Sequence, residues 1–186
     1  MKHALALNGV GPAPLYRRYE PSDRPALLRM YVTFDPKGAY HGLPPHKRVV
    51  TEQWLSGLLG NPRNNHFLLA ADGNIMGHAA LVHYPNTPDS QEIIIFVHQE
   101  FQHRGWGRKL FLAAMNHACL RLKLNEVWLM VEWHNIPALR LYRSIGFKAL
   151  PSTNRLEEMV MRRPLGCGNC AKDECAIFSS ELAQAA

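Results

Sequence analysis

The 186-residue chain contains no apolar run near the roughly 20 residues that a bilayer-spanning helix needs, so no membrane partner is expected. No secretory signal is expected either. The short apolar patch after Lys2 is broken by Asn8 and Gly9 before it can form a signal peptide's core. Residues 1–14 therefore read as an N-terminal leader, and the protein is expected in the cytoplasm. Cysteine is scarce: four residues, and without a secretory signal no disulfide framework is expected. Dense basic runs interleaved with aromatics are also absent, so the net charge of +6 does not point to nucleic acid. That charge mildly favours smaller anionic partners. There is no internal repeat and no low-complexity segment. The apolar fraction of 47% suits one globular domain with a buried core.

The elements can be read in order. Residues 14–34 form a strand, a turn and a helix, with Ser22 or Asp23 as N-cap and Pro25 in the first turn. A loop rich in Gly and Pro follows, then a helix carrying Val49, Val50, Trp54, Leu55 and Leu58. "HFLLAADGNIMGHAALVHY" is a hairpin turning at Asp72-Gly73. "QEIIIFVHQ" reads as a central strand covered on both faces, and "NEVWLMVEW" as a second buried strand. A helix is expected over 105–124, with Cys119 buried inside it. A shorter helix should stop at Gly146, and "KAL" and "LEEMVMRRP" close the domain as strands. The order β-α-α-β-β-β-α-β-α-β-β defines an α/β chain of the α+β type. We expect a mixed, mostly antiparallel sheet of six to seven strands flanked by about four helices.

"QEFQHRGWGRKL" sits where the central strand hands over to the long helix. A helix N-terminus presents unpaired N–H groups and partial positive charge, and glycine lets an anion come close. Gln102, Gly105 and Gly107 stand at that junction, with Arg104, Arg108 and Lys109 beside them. No Gly-Lys-Ser/Thr follows, which excludes a P-loop. The third glycine and the downstream acid of a dinucleotide fingerprint are missing as well. On spacing alone, a diphosphate cradle and a glycine turn needed only for packing both remain open.

Gln102-His103-Arg104-Gly105-Trp106-Gly107 matches Gln/Arg-x-x-Gly-x-Gly/Ala in its strand-to-helix context. Downstream, Asn135, Ala138, Tyr142 and Gly146-Phe147 supply a second signature. On these two motifs the chain resembles the GNAT superfamily of acetyl-CoA-dependent N-acetyltransferases, over residues 15–163. The resemblance implies a GNAT fold whose central strand parts from its neighbour beyond a bulge. It places the pantetheine arm of acetyl-CoA along Ile95, Phe96 and Val97. The pyrophosphate then lies on 102–108, through Gln102, His103, Arg104, Gly105, Trp106, Gly107 and Arg108. Asn135 would bond near the thioester, and Tyr142 would be the general acid that protonates the departing thiolate.

Glu92 is the candidate base. A carboxylate is unusual in an apolar strand, although a solvated strand end would also explain it. The bacterial protein-lysine acetyltransferases of the superfamily carry a Glu ten residues before the motif, as here. Glu132 and His134 are weaker alternatives, read as surface or helix-entry residues. Tyr31, Phe34, Tyr40, His83 and Tyr84 are candidates for the acceptor pocket. The expected partners are acetyl-CoA and an amine acceptor, either a small molecule or a protein, and a homodimer is compatible with this reading. A non-catalytic CoA-binding regulatory module is the alternative.

Residues 164–186 form a tail outside the resemblance. Cys167, Cys170 and Cys175 give C-x2-C-x4-C, three ligands of a zinc site that His46 or a second chain would complete. Free thiols or a disulfide are the other readings.

Overall fold

A computed structural model describes residues 14–38, 43–151 and 158–165. Cys167, Cys170 and Cys175, the leader and Tyr40 lie outside the described residues. The elements are β1 (Leu15–Arg18), α1 (Arg24–Thr33), α2 (Arg48–Gly60), β2 (Asn65–Ala71), β3 (Asn74–His83), β4 (Ser90–Val97), α3 (Trp106–Leu120), β5 (Glu126–Glu132), α4 (Ile136–Ser144), β6 (Lys148–Ala149) and β7 (Glu158–Pro164). They follow the order read from the sequence. The strands make one seven-stranded sheet, β1-β2-β3-β4-β5-β7-β6, antiparallel at every pairing except β4 with β5. No helix of the described residues is long and apolar enough to cross a membrane.

Side chains alternate across a strand, so the sheet has two cores. One cluster joins α3 and α4 to one face through Leu110, Phe111, Leu139, Ile93 and Leu129, with Ile95 against it. The other joins α1 and α2 to the opposite face through Leu27, Tyr31, Leu55, Leu68 and Phe96, with Ile94 against it. β4 contributes to both, as a doubly covered strand should. β5 does not. Val127, Leu129 and Val131 are buried, whereas Met130 is exposed, because the α1–α2 cluster contains no β5 residue.

Local chemistry explains most boundaries, with a few departures from the expected ones. Asp72 (φ 50°) and Gly73 (φ 73°) form the two-residue hairpin turn. Asp23 precedes α1 but does not cap it: its carboxylate takes the Glu20 N–H at 2.8 Å and both Arg17 guanidinium nitrogens at 2.6 Å. α3 ends at Leu120 rather than 124, since Lys123 turns left-handed (φ 52°) and Leu124 N–H reaches back to Ala118. Cys119, near that end, is half-buried rather than buried.

A buried polar chain threads the α1–sheet layer. The Tyr31 hydroxyl meets His78 Nδ1 at 2.6 Å, and His78 Nε2 meets His66 Nδ1 at 3.1 Å. Burial holds the His66 imidazole down at about 4 and pushes His78 well below the ordinary value. Unfolding frees both to bind protons below about 6.5 while the native state still excludes them. The contribution of these two histidines should therefore be flat above pH 6.5 and fall as pH drops toward 4. The slope should approach about 1.4 kcal/mol per pH unit for each histidine. Urea unfolding at pH 7.5 and pH 5 measures this; equal midpoints would contradict it.

Candidate active site

The site begins where β4 and β5 stop pairing. Their parallel register holds only at Ser90–Glu126, Gln91–Val127 and Glu92–Trp128. Beyond Glu92 the strands run on to Val97 and Glu132 without pairing. The expected bulge in β4 is not there. The β3–β4 register is unbroken, and the one shift falls in the β2–β3 pairing, opposite Leu69 and Ala70. That irregularity is one extra residue on the β3 side, Met76, between the Leu69–Gly77 and Ala70–Ile75 pairs, so the parting of β4 comes from lost β5 pairing. His98 N–H donates to the Met76 carbonyl at 2.9 Å, so by antiparallel alternation the even-numbered residues of β4 bond to β3. Ile95 and Val97 turn their backbone groups toward the gap. Gln102 Nε2 donates to the Val97 carbonyl at 2.8 Å, which ties the following turn to the strand end.

A cavity of about 300 Å³ fills the gap. Its lining joins Glu92, Ile95, Phe96, Val97, Gln102, His103, Gly107, Asn135 and Tyr142, all singled out by the sequence. Arg104, Gly105, Trp106 and Arg108 stand outside it. The Arg104 guanidinium lies over the Trp106 ring, 5.2 Å from its centroid, and Arg108 donates to Ser144 Oγ at 3.1 Å.

The two glycines do different work. Gly105 is the N-cap of α3 at φ 76°, and a Cβ there would meet nothing within 4 Å. It supplies the left-handed turn, which costs other residues energy. Gly107 has no positive φ, lines the cavity, and would put a Cβ 3.4 Å from Val97 Cγ2. It keeps the approach to the backbone open. No side chain caps α3, and its first return bond runs from Lys109 N–H to the Gly105 carbonyl.

α4 carries the opposite wall. Asn135 Oδ1 caps it by accepting from Ala138 N–H at 3.2 Å, which fixes the side chain with its Nδ2 donor group pointing away from that bond. Phe147 N–H bonds to the Tyr142 carbonyl and Gly146 N–H to Arg143, at 3.0 Å each, with Gly146 at φ 92°. This Schellman stop also packs the Phe147 ring against Tyr142, 6.1 Å between centroids. Gly146-Phe147 thus fixes the tyrosine from below.

Glu92 is 7% exposed and Tyr142 9%. Glu92 shares the even-numbered face of β4 with Ile94 and Phe96, toward α1 and α2, whereas Tyr142 belongs to the α3–α4 cluster. They reach one cavity from opposite faces of the sheet. The Tyr84 hydroxyl donates to Glu92 Oε2 at 2.6 Å. Burial first, and then that bond, push the Tyr84 phenol well above its ordinary value. Glu132 also lines the cavity, 3.0 Å from His134 Nε2. Among the acceptor-pocket candidates, Phe34 lines it, Tyr31 is committed to His78, and His83 sits against Arg63. Leu43, Met130, Pro137 and Leu141 line it without having been singled out, since nothing in their local pattern separates them from core residues. Among the described residues no group of three or more His, Cys, Asp or Glu side chains could hold a metal.

A strand gap with outward backbone groups, ending at an uncapped helix N-terminus, defines a receptacle for an extended ligand with an anionic end. The chain belongs to the acetyltransferase (GNAT) family, whose sequence profile matches residues 25–147. It is similar to the N-alpha-acetyltransferase RimI of Mycobacterium tuberculosis, 32% identical over 92 residues, which are 48% of this chain and 56% of that protein. It is also similar to the spermidine N(1)-acetyltransferase of Escherichia coli K12, 28% identical over 81 residues, 44% of each. The chain spans about half the length of the curated relatives it matches. In fold it resembles the spermidine N-acetyltransferase of Vibrio cholerae, solved with CoA and spermine. That likeness has a TM-score of 0.65 and 20% identity, covering 82% of this chain and 95% of the other.

Proposed function

We infer that this protein is an acetyl-CoA-dependent N-acetyltransferase that passes the acetyl group directly to a primary amine. The observation that carries this is the convergence of Glu92 and Tyr142 on one cavity from opposite faces of the sheet. Acetyl-CoA enters from the α3–α4 side. Its pantetheine arm extends β4 along Ile95, Phe96 and Val97 in the place β5 has left, and its pyrophosphate sits over Gly107 at the start of α3. Gly107 supports that fit, because a side chain there would project into the cavity wall.

The acceptor enters on the Glu92 side. Amines of this class are protonated near neutral pH and cannot attack until a proton leaves. Glu92 accepts that proton. The amine nitrogen bonds to the thioester carbonyl carbon, the carbon–sulfur bond breaks, the Tyr142 hydroxyl protonates the sulfur, and the second proton lost by the nitrogen as the amide forms restores the tyrosine through solvent. Two carboxylates on one cavity, Glu92 and Glu132, favour an acceptor that carries positive charge. Polyamines and peptide N-termini both qualify, in keeping with the relatives.

Release of CoA from acetyl-CoA, followed across spermidine, spermine, amino acids, aminoglycosides, an N-terminal peptide and a lysine peptide, tests the reading. Turnover with at least one cationic amine is expected. Tight CoA binding without turnover on any acceptor would instead mark a binding module. With the best acceptor, Tyr142→Phe should lower kcat by about 100-fold, within the range for a positioned acid, while CoA affinity stays within about twofold. An unchanged kcat would remove Tyr142 from the chemistry.

A further inference from the structure

We propose that Tyr84 is the positioning residue for Glu92, holding one carboxylate oxygen as donor so that the other faces the cavity as an anionic base. The inference rests on Glu92 serving as the base. Its geometry is independent of that role. Glu92 lies opposite Val82 on β3 and opposite Trp128 on β5, the last parallel pair before the strands part. Tyr84 follows β3 by one residue, and its ring leans across to Trp128, 5.6 Å between centroids with the planes 36° apart. Its hydroxyl then reaches Glu92 Oε2 at 2.6 Å. The phenol is thereby wedged over the apex of the gap.

The direction of the bond follows from chemistry. A carboxylate can only accept, so the phenol donates, and a donor stabilises the ionised form. Burial in an apolar strand acts the other way on any carboxyl group. A Glu92 without this donor would take up a proton more readily. The base would then be present in its active form over a narrower pH range. Tyr84 is 40% exposed and packs through its ring, so removing the hydroxyl alone should leave the fold in place.

The test reads Glu92 directly. In CoA-bound protein with carboxyl-13C-labelled glutamate, the Glu92 signal is assigned by its loss in Glu92→Gln and followed against pH. In Tyr84→Phe the titration midpoint should rise by about one pH unit, the size of one hydrogen bond to a charged group. In Tyr84→Gln, whose amide can still donate, it should stay nearer the wild type. The acid limb of kcat/KM should move with the midpoint. A Glu92 midpoint unchanged in both variants overturns the positioning role. A shifted midpoint with no change in the rate profile leaves the Tyr84–Glu92 coupling standing and removes Glu92 as the base.

Discussion

Gly107→Val is expected to weaken CoA binding by about 100-fold, roughly 2.7 kcal/mol, while leaving the fold intact. The fold should survive because Gly107 adopts no left-handed conformation, and the first added carbon would meet only Val97 Cγ2 at 3.4 Å, an ordinary contact. The two further methyls of valine would extend beyond that carbon, at a residue that already forms part of the cavity wall. They would stand over backbone that a phosphate must approach closely. Gly105→Ala is the contrasting variant. With nothing within 4 Å of the new carbon but φ at 76°, it should lower thermal stability, by about 1 kcal/mol, before it lowers affinity. Calorimetric titration with CoA and a thermal melt on each variant separate the two roles. Wild-type affinity in Gly107→Val would show that the pyrophosphate does not lie on this turn.

Glu92→Gln should reduce kcat by about 100- to 1,000-fold near neutral pH, within the usual range for losing a positioned base. Glutamine has nearly the same shape, and its amide oxygen can still accept from Tyr84, so CoA affinity and stability should change little. The deficit should shrink as pH rises. Solvent then deprotonates more of the amine, and the enzyme's own base matters less. A pH series of kcat/KM for both proteins measures this. A variant with the wild-type rate at neutral pH would exclude Glu92 as the base.

Legibility differed between parts of the molecule for physical reasons. The turn at 102–107 could be read because helix starts and glycine conformations are set within a few residues. The Gly146 stop was readable for the same reason, whereas Tyr142 stood out only through the family resemblance; the structure adds that Tyr142, Gly146 and Phe147 form one Schellman stop. β5 read as buried because its residue types are apolar, yet Met130 is exposed, since coverage depends on which helices happen to lie over it. The Tyr31–His78–His66 chain carried no sequence signal at all. Its members are scattered through α1, β2 and β3, and only sheet register brings them together.

The sequence by itself determined the order of elements, the hairpin turn and the stop of α4 at Gly146. These follow from backbone preferences and periodicity, which act over a handful of neighbours. The tertiary structure decided where β4 parts from β5, that Glu92 and Tyr142 face one cavity from opposite sides, that Tyr84 grips Glu92, and that Gly105 and Gly107 serve separate ends. Each of those depends on strand pairing or on packing between segments distant in the chain, and no local pattern encodes which strand stops pairing, or where.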